Sequence, residues 1–191
     1  AARVAVDSFV ARAAAAPHPA AHWYNLGSAW YVLGSDVRAR VAWLRAARLA
    51  PRDRLVRRAL ALVPPPDPGT ARVERTAAVT PDEALLAAAG LWLLGCAVLL
   101  RNPRRAAAAL LCLAVIVAVY GVLTARRYRA SVALILDPET PLREAPYGSA
   151  PSLARLREGT GVIIRDSRSG WLLVAEGERR GWVHRAEVIR L

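Results

Sequence analysis

Three histidines and two cysteines are the side chains here best suited to metal ligation or covalent chemistry, and their surroundings argue against both. His18 and His22 flank Pro19 with no cysteine or carboxylate pair at ligand spacing, so no metal is expected there. Cys96 and Cys112 lie inside long uncharged runs, where a thiol behaves as a small hydrophobe. His184 stands among arginines and reads as a surface residue. No Ser-His-Asp, Cys-His or paired-carboxylate arrangement can be assembled from residue 130 onward. The chain is therefore not expected to be an enzyme or to need a cofactor. What remains is recognition through aromatic and polar surfaces.

The elements that would carry such surfaces begin with Trp23-Tyr24-Asn25-Leu26-Gly27, Trp30, Gly34, Ala39, Trp43, Ala46 and Pro51. Large residues at helical intervals, with small ones where two helices must approach, predict an antiparallel helix pair turning at Gly34 and stopped by Pro51. The pattern resembles a tetratricopeptide repeat over residues 20–53, with Trp30 in place of the usual Tyr and Trp43 in place of Phe. One 34-residue period earlier, Ala5, Phe9 and Pro17 match Ala39, Trp43 and Pro51, so residues 1–16 are expected to be the second helix of a preceding repeat. Residues 53–62 read as a capping helix. The resemblance implies that Tyr24, Asn25, Ser28 and Tyr31 line a concave groove for an extended peptide.

Beyond residue 130, short apolar stretches at 131–136, 153–156, 162–165, 171–175 and 181–184 alternate with turn residues, predicting a small barrel of five or six strands. Leu142-Arg143, Pro146, Leu156, Gly159, Gly170-Trp171 and Gly181-Trp182-Val183 give this part a resemblance to bacterial SH3 domains. Where that family usually has Asn-Val-Arg-Ser-Gly-Pro, this chain has Pro141-Leu142-Arg143-Glu144-Ala145-Pro146. Tyr147, Trp171 and Trp182 either line a groove for peptide or glycan, or, for the two tryptophans, fill the core of a barrel too small to be stable otherwise.

Between these parts, residues 84–100 and 106–125 hold no charged residue and are each about long enough to cross a bilayer as a helix. The Arg101-Asn102-Pro103-Arg104-Arg105 loop is short, so the two helices must be antiparallel and both soluble parts must share one compartment. Residues 63–83 hold five prolines and read as a semi-rigid linker, with Thr80 and Pro81 starting the first apolar helix. The net charge of +12 comes entirely from arginine. It sits on residues 1–63 (10 Arg against 3 acids) and around the apolar runs, at 84–129 (6 against none), which suits anionic lipid or an acidic partner better than nucleic acid. Three arginines in the loop favour placing it inside and both soluble parts outside, although Arg126, Arg127 and Arg129 follow the second run. There is no methionine, not even at position 1, so the sequence is expected to begin within a longer protein.

The expected class is a multi-domain α and β protein: a tetratricopeptide region (1–62), a proline-rich linker (63–83), a transmembrane hairpin (84–125) and an SH3-like barrel (130–191). In this order the parts resemble the aerotolerance (Bat) family in its tetratricopeptide-containing, BatE-type form. The resemblance implies a bacterial inner-membrane protein with periplasmic interaction domains. Its implied partners are membrane proteins with von Willebrand factor A-type domains and a MoxR-type ATPase system, and its implied role is scaffolding in stress or oxygen tolerance. A cell-envelope sensor binding peptidoglycan through the SH3-like part is the alternative, and an anchor for an enzyme preceding residue 1 is a third.

Overall fold

The computed structural model describes residues 19–75, 77, 79–101, 104–129 and 131–191. They form two compact units, one built from the described residues up to 75 together with those from 131 onward, the other from residues 77 to 129. The helix expected at 1–16, and His18, lie outside the described residues.

The first unit opens with three helices, α1 (Pro19–Val32), α2 (Asp36–Leu49) and α3 (Arg54–Leu62). Gly34 makes the first turn with φ of 73°, a backbone state that costs glycine little, and the Ser35 N–H returns to the Trp30 carbonyl at 2.9 Å. Gly27 has to be glycine for a different reason: a Cβ there would collide with the Trp43 ring, so the absent side chain is what lets α1 and α2 close. Ala39, Trp43 and Ala46 are buried in this seam, as their spacing predicted. Pro51 follows α2, and the Asp53 side chain caps α3 by accepting from the Leu55 N–H at 2.7 Å.

Helix α2 is buried on nearly every side, which no single partner can achieve. One face meets α1 and α3 through Ala39, Ala42, Trp43, Ala46 and Ala47, while Val37, Val41 and Leu44 pack with Leu134, Leu136, Ile189 and Leu191. The second set belongs to a sheet formed by the C-terminal residues.

That sheet is seven-stranded and antiparallel: β1 (Val132–Ile135), β2 (Thr140–Arg143), β3 (Ser152–Leu156), β4 (Gly161–Arg168), β5 (Trp171–Glu176), β6 (Arg179–His184) and β7 (Val188–Arg190), in the order β3-β2-β6-β5-β4-β1-β7. Five or six strands were expected; β2 and β7 are the additions. Pro141 sits within β2, but β2 pairs with β6 only at Arg143, so the missing N–H breaks no ladder on that side. Ala133, Ile135, Leu142, Leu156, Val162, Leu172, Val174 and Val183 form the core on one side of the sheet. All four residues of β1 are buried because Leu134 points the other way, under α2.

The stretch expected as a linker is folded onto this body. Asp67 caps a short helix, α4 (Pro68–Val73), with Pro68 at its first turn. Thr70 is 1% exposed; its hydroxyl donates to Asp67 Oδ2 at 2.7 Å and accepts from the Gly161 N–H of β4 at 2.8 Å. Glu74, just beyond α4, forms a buried ion pair with Arg40 of α2. The same guanidinium donates to the carbonyls of Leu60 and Val63, which the end of α3 leaves without helical partners. Helices and sheet thus share one body in place of two modules set apart by a semi-rigid linker.

The second unit is a hairpin of α5 (Pro81–Leu100) and α6 (Arg104–Arg129). Thr80 and Glu83 cap α5 reciprocally, at 3.3 Å to the Glu83 N–H and 3.0 Å to the Thr80 N–H. Both helices are long and apolar enough to cross a membrane, with mean hydropathies of 2.1 and 2.7, and only 17% of each apolar window is buried, unlike a soluble core helix. They meet through small residues, Ala84, Ala88 and Gly95 on α5 and Ala107, Ala114 and Gly121 on α6. A Cβ on Gly121 would lie 3.2 Å from that of Ala84, and one on Gly95 would lie 2.9 Å from Leu111, so the helices run antiparallel at close range.

Replacing Arg40 with Met should destabilise the first unit by roughly 3–5 kcal/mol, because Glu74 is left buried without its partner. Changing Glu74 to Leu in the same chain should recover most of that loss, and urea unfolding of the two variants decides it. The Asp67 carboxyl is raised by desolvation but more strongly lowered by hydrogen bonds from the Thr70 backbone, the Thr70 hydroxyl and the Gly69 N–H, leaving its pKa below the usual value. A depressed pKa stabilises the fold above the ordinary carboxylate pKa of about 3.9, and that stabilisation is lost as pH falls through the folded value. Asp67→Ala should therefore cost about 0.5–2 kcal/mol at neutral pH, with the gap to the parent protein closing below about pH 4.

Candidate interaction surfaces

On α1, helical spacing puts Tyr24, Ser28 and Tyr31 on the stripe beside the seam, with Asn25 next to them. Two of the four serve the fold. Tyr24 is half-buried against Ala39, Trp43 and Ala59, and its carbonyl accepts from Trp43 Nε1 at 3.2 Å. The Ser28 hydroxyl donates to the same carbonyl at 3.0 Å. Asn25 is exposed, and Tyr31, 39% exposed, leans on Trp43 with ring centres 5.6 Å apart. The accessible part of this face is Asn25 and Tyr31, extended at the turn by the exposed Val32.

The seam tryptophans are covered by arginines that sequence reading passed over. Arg38 lies 4.9 Å from the Trp30 ring centre and Arg45 lies 4.4 Å from that of Trp23. A signal was present: the tryptophans are seven apart on α1 and the arginines seven apart on α2, so an antiparallel pair turning at Gly34 brings both into register. Arg45 also donates to the Arg190 carbonyl of β7 at 2.6 Å. Its pKa is lowered by burial and then by Arg48.

The second surface is the outer face of the sheet. Register pairs Trp171 with His184 and Leu173 with Trp182 across β5 and β6. Strand alternation puts these four opposite Leu172, Val174 and Val183, which fill the core. Neither tryptophan therefore belongs to the main core. Trp182 is nonetheless only 9% exposed, with the Arg168 guanidinium 5.8 Å from its ring centre. Trp171 is half-buried and meets His184 edge-on at 5.3 Å. His184 has structural work besides: its N–H donates to Glu187 at 2.9 Å and its Nδ1 accepts from the Ala186 N–H, capping the turn before β7. The His184-Arg185-Ala186-Glu187 spacing was the available signal.

Tyr147 is 53% exposed in the turn between β2 and β3. Among the described residues no ring contact joins it to Trp171 or Trp182. Asp166, on β4 beside the β4–β5 irregularity, accepts from the Ser167 N–H and from Arg168, and both hold its carboxyl below the usual range. Arg168 thus spans a carboxylate and the Trp182 ring. Among the described residues no group of three or more His, Cys, Asp or Glu is placed to hold a metal ion. The two thiols, Cys96 and Cys112, are unpaired and exposed on the hairpin surface.

The two roles on α1 separate in stability measurements. Asn25→Ala should move unfolding by no more than about 0.5 kcal/mol, Tyr24→Ala should cost on the order of 1–3 kcal/mol, and Trp43→Ala roughly 3–5 kcal/mol. Thermal melting of the three variants in mild detergent reads the order directly. Comparisons with protein families, with characterised proteins and with solved structures find no match to this chain.

Proposed function

We propose that this protein is a membrane-anchored interaction scaffold, and that it turns nothing over. In this reading the α1–α2 pair is a tetratricopeptide repeat whose exposed Asn25 and Tyr31 contact a partner segment, and the sheet is an SH3-like module. The hairpin crosses the bacterial inner membrane with its arginine-rich turn inside and the soluble unit in the periplasm. The partners are membrane proteins with von Willebrand factor A-type domains, working with a MoxR-type ATPase system in stress or oxygen tolerance.

One observation carries the reading. A single soluble unit displays two differently built aromatic faces, and its chain enters and leaves through one end of an antiparallel apolar hairpin. Both faces are thereby restricted to one compartment next to a membrane. Because helices and sheet share a core, the two faces keep a fixed separation, and a partner touching both gains from high effective concentration without a tight contact at either. The exposed Tyr147 and the half-buried Trp171–His184 pair favour the second reading, a sensor gripping peptidoglycan.

Photo-crosslinking in intact cells distinguishes them. A crosslinking amino acid in place of Tyr31, or in place of Trp171, should capture membrane proteins carrying von Willebrand factor A-type domains, with recovery lost on Asn25→Arg in the first case. Peptidoglycan fragments captured from position 171, with nothing captured from position 31, would replace the scaffold by the sensor.

A further inference from the structure

Beside the small-residue seam, the hairpin leaves an open groove of about 560 Å³ in the half farthest from the Arg101–Arg105 turn. Leu85, Ala89 and Trp92 of α5 face Ala118 and Val122 of α6 across it, and the lining is apolar except for one residue, Arg126. On α6 the lining runs from Ala114 to Arg126. Twelve helical steps cover about 18 Å, close to half of a bilayer's hydrocarbon core of about 30 Å. The groove is therefore one leaflet deep. Its single cation stands at the depth of the headgroup phosphates.

A long apolar slot ending in a guanidinium at the membrane surface matches a molecule with an alkyl chain and one anionic head. We propose that the groove holds an acyl chain of an anionic phospholipid whose phosphate sits on Arg126. The inference rests on the reading of the hairpin as membrane-spanning. Charge argues against a second copy of the chain as the occupant. Residues 84–129 carry six arginines and no acid, and the nearest acids, Asp82 and Glu83 in the first turn of α5, do not line the groove, so two hairpins packed side by side through it would bring Arg126 toward its own counterpart with no carboxylate in the lining to offset it. A phosphate supplies the missing charge, and an arginine fork binds it well.

Trp92 lines the groove and reports on it. The full chain is reconstituted in phosphatidylcholine vesicles containing a minor fraction of phosphatidylglycerol or phosphatidylcholine brominated midway along one acyl chain, with Trp92→Phe subtracted to isolate the Trp92 signal. Quenching by the brominated anionic lipid should exceed that by the zwitterionic one roughly fivefold, the factor one arginine near an anionic headgroup supplies. Arg126→Gln should abolish the preference while leaving zwitterionic quenching unchanged, and Ala118→Leu, which fills the slot, should lower anionic quenching with Arg126 intact. Equal quenching by both lipids, or a preference that survives Arg126→Gln, overturns the proposal in a protein that resists alkaline carbonate extraction. So does a disulfide-linked dimer formed by Ala89→Cys, in a background without Cys96 and Cys112, together with loss of Trp92 quenching. Release of the chain by carbonate would remove the membrane reading itself, and the lipid site with it.

Discussion

The path of the chain through the first unit turns on one buried arginine. Arg40 lies in a helix buried on nearly every side and its guanidinium is itself enclosed, so the fold has to bring hydrogen-bond partners to it. It takes two carbonyls from the end of α3 and the carboxylate of Glu74 from beyond α4. Satisfying the guanidinium fixes where the chain goes after Leu62. Residues 63–74 must fold back across α2, and that return places Thr70 against Gly161 at the start of β4. A buried pair of this kind contributes little net stability over an apolar replacement, since desolvation offsets most of the attraction. Its effect is on geometry: Glu74 pairs with Arg40 only when the chain returns across α2.

The helix pair was legible because its seam is written in residue size. Trp23, Leu26, Trp30 and Trp43 are interspersed with Gly27, Ala39 and Ala46, and the small residue at 27 is what makes room for the Trp43 ring. The hairpin was legible from length and lack of charge, and its cap at Thr80 from a familiar spacing. The fold-back at 63–74 is hard to read from sequence because its prolines suit a stiff linker, while Asp67-Pro68 is equally a helix start. Arg40 and Glu74, 34 residues apart, carry no local signal of pairing at all. β2 and β7 were missed for opposite reasons, one holding a proline and the other only three residues long. Within the strand expected at 131–136, residues 132–136 are apolar without a break, whereas a strand with one face in solvent would alternate. The lack of polar residues in that run already said that something covers the second face. That something is α2, and identifying it requires knowing that the helical part has an apolar face to spare.

Of the two aromatic surfaces, chemistry alone could name the residues but not divide their labour. Tyr24 and Tyr31 are the same side chain two turns apart; only the position of α3 makes the first structural and leaves the second accessible. On the sheet, the Gly-Trp pairs suggested a common role for Trp171 and Trp182. Register puts both on the same face, and Arg168 then covers one of them. In the hairpin, contact depends on close approach of the two helices, so alanine and glycine occupy the seam and leucine points outward.

The first unit is discontinuous in the chain, its helices preceding the hairpin and its sheet following it, and this sets a schedule during synthesis. Val37, Val41 and Leu44 emerge long before Leu134, Leu136, Ile189 and Leu191, the residues that cover them. Translation at about 5–20 residues per second leaves that face of α2 uncovered for roughly 7–30 s, until the last strand is made. Arg40 shortens the exposure of the opposite end, because Glu74 arrives soon after it and can lock α2, α3 and α4 together while the hairpin is still being synthesised. The nascent helical part is therefore a half-finished body with a defined wound, and the C-terminal sheet is the segment that closes it.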